Sequence, residues 1–296
     1  MPISLDHTLD LQAVRNLLQL PINELEATDF EEYLALELVR RDTCLWRDPN
    51  GRVVAFALVD HFNNLCFSWE NTSHTAELEA QVVDWGLACM RRRNAESGES
   101  ATLDASCGSD NRPRLDFLER NGFYKEEIRT LRYERDLRLA IPEYHLPADF
   151  SLRSVQSEAD ADRLAALHRA AFGTDHMTVE YRLAMMRVPG YDPELDLYIA
   201  DPGGKPVAFC VCSVEEESEP TSNKSGHTDP IGVDPQFQGH GLGRTVLIAG
   251  LKALRDRGVE RAKLGTSSEN IAMQRLAESV GFRITSEIFW FSKAVG

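Results

Sequence analysis

Ile231-Gly232-Val233-Asp234-Pro235-Gln236-Phe237-Gln238-Gly239-His240-Gly241-Leu242-Gly243-Arg244 is the stretch that decides the reading of this 296-residue chain. Ile231 to Val233 reads as a short strand, Asp234-Pro235 ends it, and Gln238 to Gly243 turns through alternating glycines into a helix beginning near Arg244. A strand, a glycine-rich loop and a helix start, in that order, make an anion site. Glycines at 239, 241 and 243 remove β-carbons that would keep a phosphate from backbone N–H groups, and a helix amino terminus supplies partial positive charge. Arg244 adds a full charge. Two familiar phosphate loops do not fit: the dinucleotide pattern G-x-G-x-x-G meets Arg244 at its sixth position, and the P-loop's G-K-[ST] is absent.

The chain also repeats itself around this stretch. Asp48-Pro49-Asn50-Gly51-Arg52-Val53-Val54-Ala55-Phe56 returns as Asp201-Pro202-Gly203-Gly204-Lys205-Pro206-Val207-Ala208-Phe209, an offset of 153 (201 minus 48). Asn111, followed by Gly122-Phe123, returns as Asn270, followed by Gly281-Phe282, an offset of 159 (270 minus 111). Two markers in one order imply duplication. Apolar periodicity predicts a helix over Glu77 to Arg93 in the first half and over Gly243 to Arg257 in the second, with first helices at Leu11 to Leu20 and Ala159 to Phe172. Pro142 and Pro147 interrupt the stretch from Leu139 to Phe150. The expected division is therefore a first domain over 1–141, a linker over 142–150 and a second domain over 151–296. Alternating strands and helices give each an α/β character with a mixed central sheet flanked by helices.

The loop resembles motif A of the GNAT superfamily of N-acetyltransferases, [QR]-x-x-G-x-[GA] after a strand ending V-x-P. Here those are Gln238 to Gly243 and Val233-Asp234-Pro235. The family's second element, an Asn followed by a helix ending in G-F, matches Asn270 through Gly281-Phe282. The resemblance covers the second half and implies acetyl-coenzyme A as cosubstrate, with its pantetheine on Ile231, Gly232 and Val233. It places the pyrophosphate on Gln238, Gly239, His240, Gly241, Leu242, Gly243 and Arg244, with the arm passing Asn270. It further implies direct attack by a primary amine of a small-molecule acceptor. The general base commonly stands four residues before the Val of V-x-P, here Asp229, acting directly or through water. His227 would share its face on a strand and is a second base candidate. The Tyr that many members carry seven residues after the Asn is replaced by Ala277. That absence keeps open a non-catalytic acyl-coenzyme A binder or sensor, and a transferase using another acyl donor is open as well because the pyrophosphate loop does not read the acyl group.

The first half reads as a degenerate copy. Aligning its long helix through Gly86 and Gly250 (offset 164, 250 minus 86) sets His74 opposite Gln238, Glu77 opposite Gly241 and Glu79 opposite Gly243. Acid at the phosphate seat repels a diphosphate, so this half is expected not to bind coenzyme A. The layout resembles tandem GNAT proteins, mycothiol synthase among them.

Bulk properties agree with this reading. Hydrophobic residues at 43% and charged residues at 27% are those of a globular chain, and a net charge of -15 argues against nucleic acid. Six cysteines without a C-x-x-C pair suggest neither a zinc knuckle nor a redox dithiol but reduced, mostly buried thiols, and Cys210 and Cys212 alone make no closed metal site. With no long apolar run and an acidic start, no membrane partner and a cytoplasmic location are expected. The sequence leaves the oligomeric state open. Glu215, Glu216, Glu217 and Glu219 form either a solvated loop or an amine-recruiting patch. The aromatic strand Ile288-Phe289-Trp290-Phe291 serves either packing or an acceptor pocket.

Overall fold

A computed structural model describes residues 3–4, 10–20, 22–24, 27–215 and 224–296. In chain order it contains β1 (Ile3–Ser4), α1 (Leu11–Leu18), α2 (Ala27–Ala35), α3 (Glu37–Arg41), β2 (Thr43–Arg47), β3 (Val53–Val59), β4 (Leu65–Trp69), α4 (Ala76–Ser97), β5 (Leu103–Gly108), α5 (Arg112–Arg120) and β6 (Tyr124–Asp136). There follow β7 (Ser151–Ser154), α6 (Ala161–Phe172), α7 (Val179–Arg187), β8 (Asp196–Ala200), β9 (Pro206–Val211), β10 (Ser213–Val214), β11 (Ser225–His227), β12 (Ile231–Val233), α8 (Leu242–Asp256), β13 (Arg261–Ser267), α9 (Ile271–Ser279) and β14 (Arg283–Lys293). These elements form two compact units, Met1–Arg129 with Glu287–Gly296, and Thr130–Ser286. Among the described residues no helix is long and apolar enough to cross a membrane.

The units differ from a division at 142–150 for reasons of strand pairing. Ile288 to Lys293 of β14 pair antiparallel with Gly108 to Leu103 of β5, and the last strand belongs to the first unit from Glu287 onward. There Phe291 is buried in the core with Phe67, Trp69 and Phe117, and Lys125 Nζ lies 3.2 Å above the Phe289 ring. Phe289 and Phe291 of the aromatic run thus serve packing. The stretch over 142–150 lies against the second unit's α8, where Thr245 Oγ1 donates to His145 O at 3.1 Å and Lys252 pairs with Glu143 at 2.6 Å.

The duplication is visible in hydrogen bonds. In the first copy Asp48 N donates to Arg52 O and Gly51 N to Asp48 O; in the second, Asp201 N donates to Lys205 O and Gly204 N to Asp201 O, all at 2.9 Å. Each copy even carries its register shift at the same place, between Trp46 and Arg47 and between Ile199 and Ala200. Both units are mixed-sheet α/β folds, as expected.

In the second unit one antiparallel sheet runs β12-β9-β8-β7, while β11 pairs parallel with β13, itself antiparallel to β6. The chain changes sheets at 228–230. Thr228 N still donates to Lys263 O of β13 at 3.0 Å, whereas Pro230 O already accepts from Val211 N at 3.0 Å. β12 is therefore an edge strand, and a wedge opens between it and β13. Helix α8 lies behind it, burying Val246, Leu247, Ile248, Leu251 and Leu254 against Leu197, Ile199, Ala262 and Leu264.

The first unit separates its corresponding strands too, but fills the gap. After the isolated bridge between Asn64 and Asp104, β4 and β5 belong to different sheets. The guanidinium of Arg114, only 1% exposed, donates to Leu65 O at 3.2 Å and Phe67 O at 3.5 Å on β4, to Ser106 O at 2.7 Å on β5, and to Ile22 O at 3.1 Å. Nothing in the sequence announced this role for Arg114. Arg114→Met, which keeps length and removes the donors, leaves these carbonyls without their cation and should cost about 3 kcal/mol or more. A urea midpoint within error of wild type would show that the strands do not need this plug.

Candidate active site

The loop delivers a helix start that no side chain closes. Helix α8 begins at Leu242 behind Gly241, and its cap has no side-chain hydrogen bond. The first intrahelical bond there is Thr245 N to Gly241 O at 3.0 Å, so the N–H groups of Leu242, Gly243 and Arg244 precede the ladder. Gly239 and Gly241 have φ of +80° and +78°, a region costly to other residues, with open space where a β-carbon would stand. Gly243 differs. A β-carbon there would sit 3.3 Å from Val233 Cγ2 and 3.5 Å from Leu276 Cδ2, so this glycine brings α8 onto β12 and α9 rather than baring an amide. Arg244 stands in the first turn, half-buried, with no ion pair among the described residues. His240 Nδ1 lies 3.0 Å from Gln238 O, donating back into the loop it belongs to.

At the other end of β12 the wedge has its apex. Asp229 Oδ2 accepts from Gly265 N at 3.0 Å, replacing the backbone acceptor that β13 loses when the chain leaves it. Its Oδ1 lies 3.6 Å from His227 Nδ1. His227 Nε2 lies 2.6 Å from Glu215 Oε1, and Lys263 Nζ donates to both Glu215 oxygens at 2.7 and 2.9 Å. The two sequence candidates are thus adjacent. Burial by itself would lower the His227 pKa, but the bonds to Asp229 and Glu215 outweigh it and raise it to about 10. Glu215 is also pushed up by burial, yet His227 and Lys263 bring it down to about 2. At neutral pH His227 is an imidazolium, which has no lone pair with which to serve as the second base expected of it.

Sequence reasoning missed the part played by Glu215 and Lys263. Glu215 opens an acidic run that reads either as a solvated loop or as an amine-recruiting patch; Glu216, Glu217 and Glu219 lie outside the described residues. Only the antiparallel pairing of β10 with β11 and the parallel pairing of β11 with β13 bring residues 215, 227 and 263 together. Asn270 caps α9, accepting from Met273 N at 3.1 Å as Asn111 accepts from Arg114 N at 3.3 Å, which accounts for its recurrence in both halves. Ala277 is fully buried and has no proton to give. Cys210 and Cys212 are buried thiols 3.6 Å apart, and among the described residues no group of three His, Cys, Asp or Glu could hold a metal.

Residues 161–282 match the model of the Acetyltransferase (GNAT) family. The match falls within the second unit. The chain is 34% identical to the mycothiol acetyltransferase of Thermobispora bispora over 54% of its own length and 56% of that protein's. It is also 34% identical to the mycothiol acetyltransferase of Acidothermus cellulolyticus, over 55% and 54%. The chain thus spans about half the length of these curated relatives. The tandem GNAT fold covers all of it. A GCN5-related N-acetyltransferase from Sphaerobacter thermophilus aligns over 100% of this chain and 95% of its own, with a TM-score of 0.68 at 18% identity. A tandem GNAT protein from the clavulanic acid biosynthesis pathway aligns over 100% and 98%, with the same TM-score at 16% identity.

Within the first GNAT-like unit the helix start is closed. With the glycine offset of 164, Ala76 at the head of α4 corresponds to His240 (76 plus 164), so this helix begins two residues earlier than α8 (242 minus 240) and consumes the loop. Thr75 caps it, accepting from Leu78 N at 3.1 Å. Glu79 is buried and bound by His74 at 2.6 Å and Arg120 at 2.7 Å. Hydroxyl and carboxylate occupy the space that the second unit leaves open. If coenzyme A binds at this helix start, Gly241→Glu should abolish the rise in melting temperature seen on adding it. Gly241→Ala carries the same backbone strain, about 1 kcal/mol, without the charge, and should weaken binding less. Undiminished affinity in the Glu variant would place the diphosphate elsewhere.

Proposed function

We propose that the second unit is an acyl-coenzyme A-dependent N-acetyltransferase that moves an acetyl group from acetyl-coenzyme A to a primary amine of a small molecule. The observation that carries this reading is the uncapped start of α8 beside the free edge of β12. Amides of 242–244 and the Arg244 charge suit a diphosphate. The edge of β12 has unpaired backbone groups for the amides of a pantetheine arm. An acetyl donor and a small acceptor are favoured by the relatives, whose name couples acetyl transfer to mycothiol.

The chemistry asked of the site is modest. A neutral amine attacks the thioester carbonyl, and Asp229, one oxygen pinned by Gly265 and the other free of any backbone donor, takes the proton. An N–H of β12 near Val233 offers a donor to the oxyanion. Buried Ala277 favours a second reading, a coenzyme-binding protein without turnover.

Turnover separates the two. Free thiol release from acetyl-coenzyme A across a panel of primary amines should exceed the uncatalysed rate for at least one amine, and Asp229→Asn should lower it by about 100-fold or more. Coenzyme A at one hundred times its Kd should add about 2.7 kcal/mol of stability under either reading. Binding without release across the panel would favour the sensor.

A further inference from the structure

His227 stands between two carboxylates, and the protons on its ring follow from that geometry. Nε2 lies 2.6 Å from Glu215 Oε1 and Nδ1 lies 3.6 Å from Asp229 Oδ1. A carboxylate only accepts, so a bare ring nitrogen facing either one would set lone pair against lone pair. Nε2 therefore carries a proton, and the negative charge of Asp229 beside Nδ1, 3.6 Å away, favours a proton there too. Glu215 cannot turn away, because Lys263 Nζ holds both its oxygens. On the neighbouring β6, Glu134 stands across from Lys263 and pairs with Arg261 at 4.0 Å. The row of Glu215, His227, Asp229 and Lys263 is left with two negative and two positive charges.

The row also lies where a thioester would arrive. The diphosphate seat follows the carboxy-terminal end of β12, and three residues of strand, about 10 Å, lead back to its amino-terminal end. Asp229 and His227 flank that end, each side chain about a third exposed, at 33% and 32%.

Resting on the acyl-transfer reading above, we propose that the His227 imidazolium is the charge partner of the departing coenzyme A thiolate, in place of the proton donor that Ala277 does not supply. The charges balance at each step. The amine nitrogen forms its bond to the carbonyl carbon and gives its proton to Asp229, which becomes neutral. The C–S bond breaks, and its electron pair stays on sulfur as thiolate. The cluster has gained one positive charge, and the thiolate matches it. Nδ1–H, already 3.6 Å from its carboxylate and now facing a neutral acid, is the donor released toward sulfur. Burial works against the charged ring, but the two carboxylates prevail and hold its pKa at about 10, while an ordinary thiol titrates near 8.5. The value of about 10 belongs to the ring beside two ionised carboxylates; once Asp229 holds the amine's proton it is a carboxylic acid, ordinarily a stronger acid than an imidazolium, so the thiolate leaves as an anion and takes its proton from Asp229 or water.

The sign of the pH effect follows. A raised histidine pKa means that the charge is present at neutral pH and lost as pH rises through about 10. Glu215→Gln removes the nearer carboxylate, so His227 should titrate closer to 6.5 and the loss should move down with it.

The test uses full-length protein and coenzyme A itself, with no acceptor needed. Calorimetry measures binding, and the ultraviolet absorbance of the thiolate reports the titration of bound coenzyme A in wild type, His227→Gln and Glu215→Gln. NMR of the imidazole reports the His227 charge in wild type and Glu215→Gln. An imidazolium facing sulfur should lower the bound thiol's pKa by about one to three pH units in wild type. His227→Gln should return it to the free value, and Glu215→Gln should do so above the lowered His227 pKa. If coenzyme A binds wild type and His227→Gln equally and the thiol titrates alike in both, this proposal is overturned and the acyl-transfer reading stands. If NMR shows a neutral ring at pH 7 in wild type, it is overturned as well. If coenzyme A binds no form of the protein, both readings fall together.

Discussion

At residues 228–230 of the second unit a single strand trades one hydrogen-bonding partner for another, and the site is a consequence of that exchange. As long as the chain follows β13 its backbone groups are used; once it joins β9, β13 is left with an N–H at Gly265 and β12 with an open edge. Asp229 answers the first deficit with its carboxylate. Among the described residues no strand answers the second, where only Gln238 Nε2 reaches Val233 O at 3.4 Å, and a strand edge open in this way beside a helix start without a cap is a place for an extended, diphosphate-bearing ligand. Buried backbone groups must be satisfied, so the opening persists only because it meets solvent or ligand.

The first unit shows the same exchange with the opposite outcome. Its strands part after Asn64 and Asp104, but Arg114 binds carbonyls on both sides, and its helix start is closed by Thr75 with Glu79 behind it. Duplication thus left two copies of one plan, alike down to the Asp48 and Asp201 turns. In one copy protein groups satisfy the wedge. In the other they leave it free, at the expense of the stability that a cap and a buried hydrogen-bonded cation would add.

How much of this was legible depended on how local the physics is. The loop at 238–244 could be read because positive φ requires glycine and because a helix start follows within a few residues. The turns at 48–52 and 201–205 were legible for the same reason, since Asp and Gly serve backbone bonds inside the motif. The division at 142–150 showed only where helical periodicity stops. It could not show that β14 pairs with β5, because that pairing joins residues about 180 positions apart. His227 and Asp229 were legible as neighbours on one face, but not the charge of His227, which depends on Glu215, twelve residues away in sequence and 2.6 Å away in space.

By itself, then, the order of amino acids determined the repeat, the α/β plan, the glycine loop and the residues that flank it, since each rests on dihedral preference or hydrophobic period within a short window. The tertiary structure alone decided which wedge is open and which is plugged, which unit the last strand completes, and whether a histidine holds its proton. Those depend on groups that approach across strands, where distance and burial set the energy of a charge.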